Sequence, residues 1–134
     1  MVTGTQQQGK GMKVPTMKRV MLEQMLYNAA DHFIVDYNGG SSEWHEKPGV
    51  WVLQPPDEVV KVHNTNNYSD GEYTKEQISY GMAILVANRR CWRLAEAGED
   101  TESWWWATHQ YKIRDHFLAH HKEKDNAKLL SFID

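Results

Sequence analysis

An α+β fold is what this sequence predicts: about four helices packed with a small antiparallel three-stranded sheet, as a single domain over residues 15–134. Three observations predict it. The stretch 74–97 is a long apolar-periodic segment with helix signals at both ends. The stretches 15–33 and 100–121 repeat apolar residues at helical spacing. Between the first two lie short β-rich runs broken by Gly and Pro.

Composition narrows the function classes. The chain has 134 residues and six Trp, with 15 basic against 18 acidic side chains and a net charge of −3. That balance argues against a basic nucleic-acid binder. It also argues against a protein imitating the DNA backbone, which carries about one charge per ~1.7 Å. Cys91 is the single cysteine and sits in an apolar stripe, so no disulfide forms within one chain. A reducing, cytoplasmic setting is expected. There is no signal-peptide pattern, and the apolar run 82–87 is far too short to span a bilayer.

Residues 1–13 are polar, Gly-rich and aperiodic, so 1–14 is predicted to be a disordered tail. A first helix is expected from Pro15 or Thr16 to Phe33. Met17, Met21, Met25, Ala29 and Phe33 step along one face, widened by Leu22, Leu26 and Ala30. Three methionines on a stripe suit a soft binding surface, but the line reads first as packing against the central helix. Tyr37-Asn38-Gly39-Gly40 reads as a tight turn, because Asn-Gly supplies positive φ angles. No Lys and no helix start follow it, which weighs against a phosphate loop.

Three strands are expected next. The first, 43–46, carries Trp44. Pro48-Gly49 fits a type II turn. The second, 50–53, is apolar on both alternating sets and so is covered on both faces. Pro55-Pro56-Asp57 breaks the chain. In the third, Val60 and Val62 alternate with Lys61 and His63, the pattern of a half-exposed strand. The polar run 64–71 reads as a loop into the central helix.

Thr74 and Gln77 form a T-x-x-Q capping box at the start of that helix, and Tyr73 is placed to staple onto Ile78. Ile78, Met82, Leu85, Cys91, Trp92 and Ala95 form its stripe, widened by Ile84 and Val86. So wide a stripe requires cover on more than one side. Arg89, Arg90 and Arg93 lie toward the C-terminal end, where the helix dipole favours cations. They read as a solvated face or as intramolecular ion pairs in preference to a phosphate site. Gly98 is the stop. Asp100 or Thr101 caps a third helix to about His121. Trp104, Tyr111 and Leu118 share one line and Trp106, Ile113 and Phe117 an adjacent one, a wide apolar face. A charged break at 122–126 precedes a last short helix over 127–133.

Four segments, in order, resemble the ArdB/KlcA antirestriction family. Tyr37-Asn38-Gly39-Gly40 followed by Trp44 is similar to its Tyr-[Asp/Asn]-Gly-Gly…Trp segment. The run 50–55 resembles the following apolar strand ending in Pro. The long helix after an acidic, Gly-containing loop matches in placement. Tyr111-Lys112-Ile113-Arg114-Asp115 with His120 is similar to a Tyr-x-Leu-Arg-Asp…His stretch, and Phe132-Ile133-Asp134 resembles the family's Ile-Asp ending. Departures are the extra Ser41-Ser42, a longer 122–126 segment without the family's Pro, and an unrecognisable N-terminal segment. The resemblance implies an α+β protein of plasmids, phages or integrated elements that blocks host type I restriction without mimicking DNA. Carried over by position, it marks Tyr37, Asn38, Gly39, Gly40, Trp44, Arg114, Asp115, His120 and Asp134.

Histidine is the other candidate chemistry. His109, His116 and His120 share one face of the third helix, and His116/His120 have the i,i+4 spacing of a metal pair. A third ligand would come from His121, Glu123, Asp115 or His63. The plain reading is a solvated polar face opposite the Trp/Tyr/Leu line. No nucleophile motif occurs, and a thiol in an apolar stripe is usually inert.

Trp104-Trp105-Trp106 spans about 200° of helix, so all three cannot face one core. The sequence therefore predicts a binding protein with no catalytic residues, no metal and no cofactor. The resemblance implies a host restriction–modification or other defence complex as its partner, and the charge balance argues against direct nucleic-acid contact. Arg114, Asp115, His120, Asp134, Trp104 and Trp105 are the predicted contacts, and Tyr37, Asn38, Gly39, Gly40 and Trp44 the structural motif. The alternatives are an inhibitor of another defence system, such as a CRISPR effector, and a metal-dependent nucleic-acid enzyme using the histidine face.

Overall fold

The computed structural model describes residues 16–35, 43–47, 50–55, 57–64 and 70–133, with backbone alone at 16, 43–47, 50 and 51. Its elements are α1 (Thr16–Phe33), β1 (Glu43–Lys47), β2 (Val50–Gln54), β3 (Val59–Val62), β4 (Gly71–Thr74), α2 (Lys75–Glu96), α3 (Asp100–His120) and α4 (Glu123–Ile133). The α+β class and four helices are as the sequence predicts. The tail, the 36–40 turn with Tyr37, Asn38, Gly39 and Gly40, the Pro48-Gly49 turn, the 65–69 loop and Asp134 lie outside the described residues, as does the side chain of Trp44.

The centre is α2. It touches α1, α3, α4 and the strands β2, β3 and β4. Gln77 through Ile84 are all buried, so its first half is covered on every side. Both predicted helix signals operate. Gln77 N–H donates to Thr74 Oγ1 at 3.1 Å and Thr74 N–H to Gln77 Oε1 at 2.9 Å, closing the capping box. At the other end Gly98 has φ +79°, a conformation that favours glycine. Gly98 N–H bonds the Ala95 carbonyl and Glu99 N–H the Leu94 carbonyl, the paired bonds of a Schellman stop.

The strands are distributed differently from the predicted single run of three. β1 and β2 pair antiparallel, with Lys47 opposite Val50 and Glu43 opposite Gln54. β3 pairs with β4 instead, Val59 opposite Thr74 and Val62 opposite Gly71. Among the described residues these form two separate two-stranded ribbons. Ile34 makes an isolated antiparallel bridge to Val62, adding a short third segment beside β3. β4 was hidden because Gly71-Glu72-Tyr73-Thr74 reads as loop and cap, and only pairing with β3 makes it a strand. The alternation read in β3 holds, with Val60 and Val62 buried and Lys61 exposed. Val52 and Leu53 are both buried, as expected for a strand covered on both faces.

Three apolar lines are rotated from their predicted direction. In α1 the core takes Leu22, Leu26, Ala29, Ala30 and Phe33, while Met17 is 77% exposed and Met21 and Met25 lie half-buried at the edge. In α2 the predicted stripe is core at Ile78 and Met82 and half-buried at Leu85 and Cys91, while Trp92 and Ala95 are exposed and Leu94 is buried instead. In α3 the buried line is Trp106, Ile113 and Phe117, joined by Ser103 and His109, and the Trp104/Tyr111 line faces solvent. Neither Asp100 nor Thr101 caps α3. Glu99 holds the N-cap position without a side-chain bond, and its carbonyl accepts from Ser103 N–H at 2.9 Å. α4 begins at Glu123, so the charged run is helical and the break shrinks to His121-Lys122. Asn126 Nδ2 donates to the Leu118 carbonyl at 3.2 Å and closes that corner.

Candidate functional site

The candidate surface is the outer face of the α2–α3 hairpin. Ser103 Oγ donates to the Cys91 carbonyl at 2.9 Å and fixes where the two helices cross. The next residues, Trp92 and Trp104, each turn a further ~100° about their own axes. The helices run antiparallel, so both rotations carry the rings to the same side. Trp92 is 65% exposed and Trp104 is 75% exposed. Seven residues after Trp104, Tyr111 returns to nearly the same line and is also exposed. Asp115, eleven residues after Trp104, falls about 20° from it and is exposed.

Beside this line lies a notch of about 200 Å³. Asn88 of α2, Gln110, Tyr111 and Arg114 of α3 and Ile133 of α4 line it. Among the described residues Arg114 forms no ion pair, with Asp115 or any other carboxylate. The face therefore offers two indoles, a phenol and a guanidinium, the side chains most enriched at energetic centres of protein interfaces. Scattered exposed apolar residues are ordinary, and it is their alignment on one hairpin that makes this surface a candidate.

The three consecutive tryptophans divide by environment. Trp106 is fully buried, and its Nε1 has no partner among the described residues. Trp105 is half-buried. Its ring stacks on His109 with centroids 4.7 Å apart and planes at 18°, and Lys18 Nζ sits 4.8 Å from its centroid. Lys18 also pairs with Glu102 at 2.7 Å, so Trp105 helps to pin α1 to α3. Trp104 alone of the three is free to meet a partner.

The histidine face does not behave as one solvated stripe. His109 is buried against Trp105 and Trp106, with its Nε2 unpartnered among the described residues. Burial, assisted by Lys112, lowers its pKa from the usual 6.5 to about 4, so the ring is neutral near pH 7. His116 and His120 stack at 4.3 Å, and the His120 Nδ1 lies 2.7 Å from the His116 carbonyl. His116 also stacks on Tyr80. Burial, and then the Glu76 charge, push the Tyr80 hydroxyl up to about 12. His121 Nε2 pairs with Glu76 at 3.2 Å, and His63 with Asp70 at 2.9 Å. Among the described residues no group of three or more His, Cys, Asp or Glu is placed to hold a metal ion. Cys91 is half-buried, its Sγ 3.5 Å from Ser103 Oγ, so its surroundings are those of packing.

The structure brings only part of the predicted contact set together. Trp104, Arg114 and Asp115 share the outer face. His120 lies about 160° around α3 from Trp104, on the histidine side. Asp134 is outside the described residues, and its neighbour Ile133 lines the Arg114 notch. Sequence reasoning missed Trp92, Tyr111, Asn88 and Gln110 as surface residues. The available signal was Arg89-Arg90-Cys91-Trp92-Arg93: an aromatic set among three arginines is poorly placed for a core.

No protein-family model matches the chain, and no curated protein matches it. Among the described residues no helix is long and apolar enough to cross a membrane.

Proposed function

We propose that this protein is an antirestriction inhibitor that acts in the host cytoplasm by contacting a type I restriction–modification complex. The contact half of the reading rests on one observation: Trp92, Trp104 and Tyr111 are exposed on the α2–α3 hairpin, with Arg114 lining the notch beside Tyr111. The target class rests on the ordered resemblance to the ArdB/KlcA antirestriction family, in which Arg114 and Asp115 sit on matching motif positions. The near-neutral charge supports contact with protein over imitation of DNA. Inhibition of a different defence system keeps the same surface and changes only the partner, since a fold does not specify its target.

The test is phage plating efficiency on a strain with active type I restriction, using unmodified phage DNA. Expression of the protein is expected to restore plating by orders of magnitude while host methylation continues. A Trp104→Ala/Arg114→Glu variant is expected to lose most of that effect. Plating that does not change on expression removes the type I target.

A further inference from the structure

A second surface lies on the other flank of α2, and it is chemically unlike the first. A groove of about 650 Å³ runs between α1 and the second half of α2. Its floor is apolar, from Met21 and Met25 of α1 and Leu85 and Val86 of α2. Its α2 rim carries Arg89, Arg90 and Arg93, and no Asp or Glu lines it. Among the described residues none of the three arginines has a carboxylate partner, and the Arg90 Nε is buried without an acceptor. Of the two expected readings, a solvated face or ion pairs within the chain, the first fits Arg89 and Arg93, which are exposed, and Arg90 is half-buried. The rim therefore presents a cluster of positive charge to whatever enters the groove.

We propose that this groove docks an acidic amphipathic helix of a partner protein, with its apolar stripe on the methionine floor and its carboxylates on the three arginines. The α1 wall extends from Val20 to Phe33, about 20 Å at the helical rise, room for three to four turns of a docked helix. Thioether side chains adapt to varied apolar partners, and helix-in-groove recognition uses such floors. Val20, at the groove's end, and Met17, one turn before it, are both exposed on α1 and extend the apolar surface. The chain's own first fifteen residues carry Lys10 and Lys13 and no acidic residue, so they are the wrong sign to fill it. Nucleic acid would satisfy the arginines and leave the methionine floor without an apolar counterpart.

The inference goes beyond the antirestriction reading and does not depend on it, so the test uses no phage readout. A library of peptides about 16 residues long, enough to span the groove with a turn to spare, is selected against the full-length protein. Winners are measured by fluorescence anisotropy on the wild type, R89E/R90E/R93E, M25D and W104A/R114E, each checked for folding by circular dichroism. The expected winners carry Asp or Glu beside apolar residues at i, i+3, i+4 and i+7. They are expected to lose at least about tenfold in affinity on R89E/R90E/R93E and on M25D, with W104A/R114E unchanged. No enrichment, enrichment without acidic residues, or binding indifferent to the groove substitutions overturns the proposal. So does a duplex oligonucleotide that outcompetes every peptide, or a dimer of this chain that the same arginine substitutions dissociate.

Discussion

The Phe132 ring of α4 lies directly against the Gly81 backbone of α2. A Cβ built at position 81 would stand 2.5 Å from Phe132 Cδ2 and 2.9 Å from Cε2, with Leu129 Cδ1 at 3.5 Å. The missing side chain is what lets α4 close over the central helix. Phe132 also meets Phe33 and Tyr73 edge to face, with centroids 5.3 and 5.5 Å apart, so it has no free direction to retreat. Gly81→Ala gains helix propensity of roughly 1 kcal/mol. It also overpacks the contact, at a typical cost of about 1–3 kcal/mol. We expect a net loss of stability in thermal or urea unfolding, relieved in Gly81→Ala/Phe132→Leu. A stabilised Gly81→Ala protein would mean that α4 is not seated here.

Trp104 and Trp106, two positions apart, are expected to separate function from stability. Trp106→Ala empties a fully buried site and should cost about 3–5 kcal/mol. Trp104→Ala removes an exposed ring and should change stability by no more than about 0.5 kcal/mol. Denaturant midpoints check the first pair of values, and plating efficiency checks that only Trp104→Ala impairs inhibition without unfolding.

Acid should destabilise the protein through His109. Its native pKa of about 4 lies below the usual 6.5, so between these values the unfolded chain binds a proton that the native ring refuses. Above pH 6.5 the residue contributes no pH dependence. As pH falls from 6.5 toward 4, stability should drop by up to about 1.4 kcal/mol per unit from this residue. His109→Leu should flatten that slope in urea titrations across the window. An unchanged slope would place the acid sensitivity elsewhere.

The capping box should be measurable by itself. Thr74→Ala removes the acceptor for Gln77 N–H and is expected to cost about 1 kcal/mol. Thr74→Ser and Thr74→Asp should retain most of the stability, because each keeps an oxygen in reach. Equal losses in all three would show that the side-chain oxygen is not the reason for Thr at this position.

Local chemistry is what the sequence by itself determined. Thr74, Gln77 and Gly98 set the ends of α2 from within one helical turn, and periodicity marked α1 and α3. The alternation at Val60 and Val62 marked β3. Tertiary structure decided which way each apolar line points. In a helix with apolar residues on most of its circumference, periodicity names several candidate faces, and only the neighbours select one. Thus Trp106 went inward and Trp104 outward, Leu22 displaced Met17 from the core, and Trp92 emerged once α3 had covered the other side of Cys91. Strand pairing was equally a matter of partners: Gly71–Thr74 carries almost no strand signal and became β4 because β3 offered an edge. The aromatic face and the arginine groove are both of this kind. Each combines residues from different helices, so each exists only after α1, α3 and α4 have packed around α2.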